Sequence, residues 1–237
     1  FSTNSTVDVT FNDPVTGAKQ IQMLGLDGIY TQITQENMPL MRGLVAPYGL
    51  HFIPGNWIES IQIIKGAGSV VNGYESFTGQ INLEYHKPQN TNKLFFNGYI
   101  NSENKKDVNF AYAKKEGKWL SNLFLHSSVY DKKNDLDGDG FINMPLEKFF
   151  TAFNRWDLVT DDMHLAVTFR GLVDEKNSGQ LVENFDYNQS LYKSNLETNL
   201  LELTTKTGFF LNDKPFKNIG VQTSVKIHNQ TARFGNT

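Results

Sequence analysis

The chain has 237 residues, room for one or two domains, and its 39% hydrophobic and 20% charged content is ordinary for a folded protein. Its 22 basic and 25 acidic residues leave a net charge of −3, which argues against a nucleic-acid surface; the nearest basic cluster, Lys114, Lys115 and Lys118, reads as a solvated turn. Cysteine is absent, which removes a disulfide framework, a thiolate metal site and a Cys nucleophile. No apolar run reaches the roughly 18 residues of a spanning helix. A mean hydropathy of −0.42 still admits membrane strands, because only alternate residues of such a strand meet lipid.

In chain order, short β signals fall at 7–11, 19–24 and 29–34, separated by turns at Asn12-Asp13-Pro14 and Asp27-Gly28. Residues 36–48 hold Pro39 and Pro47 and read as loop with at most one helical turn. Residues 57–88 organise the rest. Ile58, Ile61, Ile63 and Ile64 make 58–65 a β-branched strand, and 79–85 alternates Ile81, Leu83 and Tyr85 against Gln80, Asn82 and Glu84. Between them Gly66, Gly68, Gly73 and Gly79 permit a sharp return, and Ser69 is placed to cap a short helical turn over 70–73. The glycines are not a phosphate cradle: the Walker spacing is missing, and a strand follows where a long helix should.

The order I-E-S-I-Q-I-I-K-G-A-G-S-V-V-N-G, followed by G-Q-I-N-L, resembles the end of the plug domain of TonB-dependent outer-membrane receptors, whose pattern is I-E-x-I-E-V-x-K-G-P-x-S-x-x-Y-G and then G-G-x-I-N. Ala67 stands where the family has Pro, and Thr78 replaces the first Gly of the pair. Arg42-Gly43 matches the family's M-P-x-x-R-G-like segment. The resemblance implies a mixed α/β plug domain over 1–88 and, over 89–237, the N-terminal part of a transmembrane antiparallel β-barrel. It also implies a bacterial outer-membrane location, with outer-membrane lipid, the TonB energy-coupling complex and an extracellular small ligand as partners. The implied activity is transport, in which the plug gates import of a scarce ligand such as a ferric siderophore, metal chelate, haem, cobalamin or glycan. The plug-apex loop bearing Arg42, Tyr48 and His51 would face that ligand.

After Pro88, two-residue alternation recurs in segments about ten residues long, as in barrel strands. Seven strands are expected, near 92–101, 107–115, 118–130, 154–160, 163–174, 195–210 and 216–230. Leu165, Val167, Phe169, Gly171 and Val173 oppose His164, Ala166, Thr168, Arg170 and Leu172. Connections at 116–117, 161–162 and 211–215 are tight, whereas 131–153 and 175–194 are long, the asymmetry of outer-membrane barrels. Seven is odd, and plugged transporters have about 22 strands, so the chain is expected to be a fragment with most of a plug and about a third of a barrel. Arg170 is expected to bond the plug from the lumen wall. Phe149, Phe150, Phe153 and Trp156 are expected at an outer aromatic girdle, with Trp119 at the opposite rim.

Asp135, Asp137 and Asp139 alternate in a loop with Gly140 and Phe141, the way a calcium loop of EF-hand type begins. The expected metal is structural Ca2+, held by those three carboxylates, the Phe141 carbonyl and Glu147, a better guess than Asn143 for the further ligand. Met38, Met41 and His51 form a weaker soft-metal pattern, since Met more often fills packing gaps. His86, His126, His164 and His228 show no ligand spacing. Neither a nucleophile elbow nor H-E-x-x-H nor a paired carboxylate site is present, so no enzyme is expected. The rival reading is a soluble β-rich calcium-binding adhesion or binding module.

Overall fold

A computed structural model describes residues 7–13, 16–40, 49–68, 76–181, 190–211 and 217–236. The chain divides into two compact units, Phe1–His86 and Lys87–Thr237.

In the first unit β1 (Val7–Asp13) and β2 (Ala18–Met23) form an antiparallel hairpin. A 3-10 turn at Gly28–Tyr30 leads into β3 (Thr31–Gln35), which turns through Glu36 and Asn37 into the two-residue β4 (Met38–Pro39). Both turn residues have positive φ, 49° and 62°, which gives the twist of a tight hairpin. A second 3-10 turn, Gly55–Trp57, precedes β5 (Ile58–Lys65), and β6 (Gly79–Tyr85) returns antiparallel to it. The sheet order is β4-β3-β6-β5, with β3 and β6 parallel. The core gathers Met23, Leu40, Phe52, Trp57, Ile81, Leu83 and Tyr85. Trp57 meets Tyr85 edge-on at 6.1 Å.

The mixed α/β character expected of the plug is not clear among the described residues. Its described residues form strands and two 3-10 turns without an α-helix; the helical turn expected at 70–73 lies outside the described residues. β6 also departs from simple alternation, because Gln80 and Asn82 are as buried as Ile81 and Leu83. A central strand covered on both faces can hold such residues only if their amides are bonded, and these are.

The second unit is one antiparallel meander: β7 (Leu94–Ile100), β8 (Lys105–Glu116), β9 (Trp119–Tyr130), β10 (Leu146–Val159), β11 (Met163–Gly179), β12 (Tyr192–Phe210) and β13 (Asn218–Asn236), each paired with the next. β7 and β13 are its two edges, so the wall is an open sheet rather than a closed barrel. The register carries the alternation across strands. Leu94, Tyr112, Leu123, Asn154, Phe169, Leu203 and Val225 are successive partners in one row. The next residue along, on the opposite face, gives the row Phe95, Ala111, Phe124, Phe153, Arg170, Glu202 and Lys226. The first face is exposed and apolar; the second is buried over β8–β12 and mixes aromatic with charged groups.

β10 begins eight residues earlier than expected, which shortens the third connection to 131–145. The expected aromatic girdle divides for the same reason. Phe149 and Phe153 lie on the buried face, where Phe153 stacks on Phe124 at 6.0 Å, while Phe150 and Trp156 lie on the exposed one. The strand ends that flank 117–118, 160–162 and 211–217 share one rim, and those that flank 101–104, 131–145 and 180–191 the other.

Candidate functional site

The turn between β5 and β6 carries the plug signature, and its chemistry explains the residue types. The Gly66 amide donates to the Thr78 carbonyl at 2.9 Å, closing the base of the turn. A Cβ on Gly79 would stand 2.4 Å from the Ile64 carbonyl oxygen and 2.6 Å from Met23 Cε, so only glycine lets β6 start so close to β5 and β2. Thr78, the departure from the family pattern, is buried and donates its hydroxyl to the Tyr30 carbonyl at 3.0 Å, within 2.9 Å of the Thr31 hydroxyl. Asn82 is the hub of the sheet. Its Oδ1 accepts from Thr34 Oγ1 at 2.9 Å and from the Asn37 amide at 2.8 Å, while its Nδ2 donates to Gln62 and Glu84. It therefore ties the β3–β4 turn to β5 and β6. Of the apex residues, Arg42 and Tyr48 lie outside the described residues, as does Met41; His51 is half-buried beside Phe52, ring centroids 5.9 Å apart.

On the buried face of the wall, charges are paired. The Arg155 Nε donates to both carboxylate oxygens of Asp157 at 2.9 and 3.0 Å. Arg170 donates to Glu202, whose other oxygen lies 2.9 Å from Lys226 Nζ. Lys176 Nζ stands 3.5 Å from Glu147 and 3.9 Å from Asp174. His126 Nδ1 is 2.8 Å from Asn109 Oδ1. Arg170, expected to bond the plug, donates to Glu202 on β12 of its own unit. Except for Arg170, sequence reading overlooked these pairs. The signal was there: Glu147, Arg155 and Asp157 share one parity in β10, and Arg170, Asp174 and Lys176 share one in β11.

In the 131–145 loop the structure brings Asp135, Asp137 and Asp139 together, with carboxylate oxygens within 4.8 Å of one another. Backbone amides already occupy two of these groups. Asp135 accepts from Gly138 and Gly140 at 2.7 and 2.9 Å, and Asp139 accepts from Phe141 at 2.8 Å. Asn143 closes the loop by donating to Asp137 at 3.1 Å, a hydrogen bond that holds the Asp137 carboxyl below the usual carboxylate range. Gly138 and Gly140 take the positive φ that the bends require. Glu147 is not part of this cluster: it sits on β10 against Lys176.

The first unit is thus a small mixed sheet closed by a glycine turn, and the second an open meander with charged and apolar faces. Residues 2–80 match the family model of the TonB-dependent Receptor Plug Domain, so the first unit is a plug domain of TonB-dependent receptors. No curated protein matches the sequence. Among solved structures, the chain is similar to the copper transporter OprC, at 12% identity and a TM-score of 0.59 over 97% of this chain and 42% of that one. It is similar to the FrpB iron transporter from Neisseria meningitidis at 11% identity and a TM-score of 0.55, covering 98% of this chain and 42% of that one. For the siderophore receptor PirA from Acinetobacter baumannii the values are 16% and 0.53, covering 97% and 40%. At such identities the likeness is one of fold, and the chain spans about two fifths of the length of these proteins.

Proposed function

We propose that the chain is the plug and the first wall strands of a bacterial outer-membrane receptor that imports a scarce ligand with energy from the TonB complex. One observation carries this reading: a plug domain runs directly into a meander whose buried face pairs charges and whose exposed face is a continuous apolar band. Along β11 that band runs from Met163 to Val173. Ten steps of about 3.3 Å, tilted by about 40°, rise about 25 Å, the height of the apolar belt on an outer-membrane barrel. The rim with connections 131–145 and 180–191 would then face outward and the rim with tight turns the periplasm.

Transport rather than bond chemistry is the activity, and the cargo falls among ferric siderophores, metal chelates including copper, haem, cobalamin and glycans. A soluble calcium-tied adhesion module is disfavoured, since it would have no use for exposed apolar rows spanning seven strands. The test is to express the complete receptor in strains with and without TonB, locate it by membrane fractionation, and follow uptake of ferrichrome, haemin, cyanocobalamin, copper and maltodextrin. Outer-membrane recovery with TonB-dependent uptake of a probe supports the reading; recovery in the detergent-free soluble fraction sinks it.

A further inference from the structure

β10 falls short of β11 at the rim where 131–145 joins it. Its last partners there are Asn177 on β11 and Tyr130 on β9, whereas β11 and β12 stay paired as far as Gly179 and Lys193. Pro145, just before Leu146, has no N–H with which to continue the ladder, so β11 leaves an edge beyond Asn177 that β10 does not cover. The 131–145 connection covers it instead. The Ile142 amide donates to the Gly179 carbonyl at 2.9 Å and the Leu181 amide to the Gly140 carbonyl at 2.8 Å, which makes Phe141 and Gln180 an antiparallel bridge. Gln180 is held in turn to β12: its amide donates to the Tyr192 carbonyl at 2.9 Å, and its Oε1 accepts the Tyr192 amide at 2.8 Å.

The other end of the connection is clasped to the β7–β8 turn by two carboxylates, each accepting from the opposite segment. Asp131 accepts from Asn104 Nδ2 at 2.7 Å and Lys106 Nζ at 3.1 Å. Glu103 accepts from Lys132 Nζ at 3.3 Å and from Asn134 Nδ2. The hydrogen bond from Lys106 holds the Asp131 carboxyl below the usual carboxylate range, so the clasp is charged at neutral pH. One exposed ion pair adds little, but here four donors share two carboxylates.

Asn143 joins the two ends. Its backbone amide donates to the Asn134 carbonyl at 2.9 Å, its Oδ1 accepts from the Leu136 amide, and its Nδ2 donates to Asp137 at 3.1 Å. Asn134, which reaches Glu103, and Ile142, which reaches Gly179, are therefore bonded through a single residue.

We propose that 131–145 is a strap that couples the rim from the β7–β8 turn to β12, so that releasing the carboxylate clasp loosens the bridge to Gly179–Leu181. A segment cross-bonded in this way leaves as a body, and opening one end requires breaking the contacts at both. Every group involved belongs to the second unit, so the strap stands independently of the transport reading.

The test is hydrogen exchange of the complete receptor in non-ionic detergent, resolved to single amides by mass spectrometry. Asp131→Ala combined with Glu103→Ala should speed exchange at Ile142 and Leu181 about threefold or more, although neither amide donates to an altered residue. Asn143→Ala, which cuts the strap in the middle, should speed the same amides about tenfold through the loss of its side-chain hydrogen bonds. Adding the clasp substitutions to Asn143→Ala should then bring no further change, because the ends are already uncoupled. Glu116→Ala, which breaks the exposed Lys114–Glu116 pair at the opposite rim, should leave both amides as they are.

Unchanged exchange at Ile142 and Leu181 in the clasp variant overturns the proposal, as does an equal effect of the clasp substitutions with and without Asn143. Leu200, in the middle of β12, should keep its protection throughout; acceleration there as large as at Leu181 would place the effect in the whole sheet and overturn the strap too. A failure of the transport reading looks different, since fractionation and uptake would fail while these exchange rates behaved as stated.

Discussion

Arg170 and Glu202 are direct partners across β11 and β12, both buried, with the guanidinium donating to a carboxylate whose second oxygen is held by Lys226 on the following strand. Three adjacent strands are thereby joined at one level of the wall. Removing one partner from such a pair leaves an uncompensated buried charge, at a cost of about 3 to 5 kcal/mol. Arg170→Ala should cost that much in urea unfolding of the complete receptor in detergent. Arg170→Met with Glu202→Leu should recover most of it; a double variant as unstable as the single one would show that the charges were not the source.

Gly79 supplies the second prediction. An alanine there would press its methyl against the Ile64 carbonyl and the Met23 thioether, and backbone yields less readily than side chain. Overpacking of this kind costs about 1 to 3 kcal/mol, so Gly79→Ala should speed proteolysis within residues 2–80 and reduce uptake. Gly98→Ala, where nothing lies within 4 Å of the added carbon, should leave both unchanged.

Local pattern disclosed much of this architecture. The glycine turn and the strands on either side of it were readable because a positive-φ or close-approach position leaves a residue type behind. The alternation of β11 was readable because Leu165, Val167, Phe169 and Val173 share one face while Arg170 and Asp174 share the other. β10 was not, because Phe149 and Phe153 serve the buried face while Phe150 serves the exposed one, which erases the apolar period over its first half. The partner of Arg170 was hidden for another reason: Glu202 lies 32 residues away, and only register brings the two together. Glu147 looked like a loop ligand from spacing alone, and the earlier start of β10 moved it onto the sheet.

The 131–145 loop should respond to acid in a defined direction. Asp137 accepts from Asn143, which holds its carboxyl below the ordinary range, so the folded loop favours the charged form. That contribution is complete above the unfolded-state value and is lost as pH falls through the lower folded value. The Asn143 side-chain amide resonances should therefore stay at their folded positions through the ordinary carboxylate range and shift only below it. Asp137→Asn should abolish this step; a step at the ordinary carboxylate value in the unaltered protein would refute the hydrogen bond as its cause.

The exposed face offers the most direct check on the wall's orientation. Leu203 sits in the middle of the apolar band, paired with Phe169 and Val225, whereas Glu197 lies three outward positions nearer the long-loop rim. A cation facing lipid at the midplane costs about 2 to 4 kcal/mol and falls to about 0 to 1 near the interface. Leu203→Arg should therefore destabilise the complete receptor in bilayers by the larger amount and Glu197→Arg by little, read from reversible unfolding in urea. In water-soluble surroundings both substitutions would be mild, because exposed positions there tolerate charge. A small effect at Leu203 would thus mean that this face meets water, and the membrane assignment of all seven strands would fall.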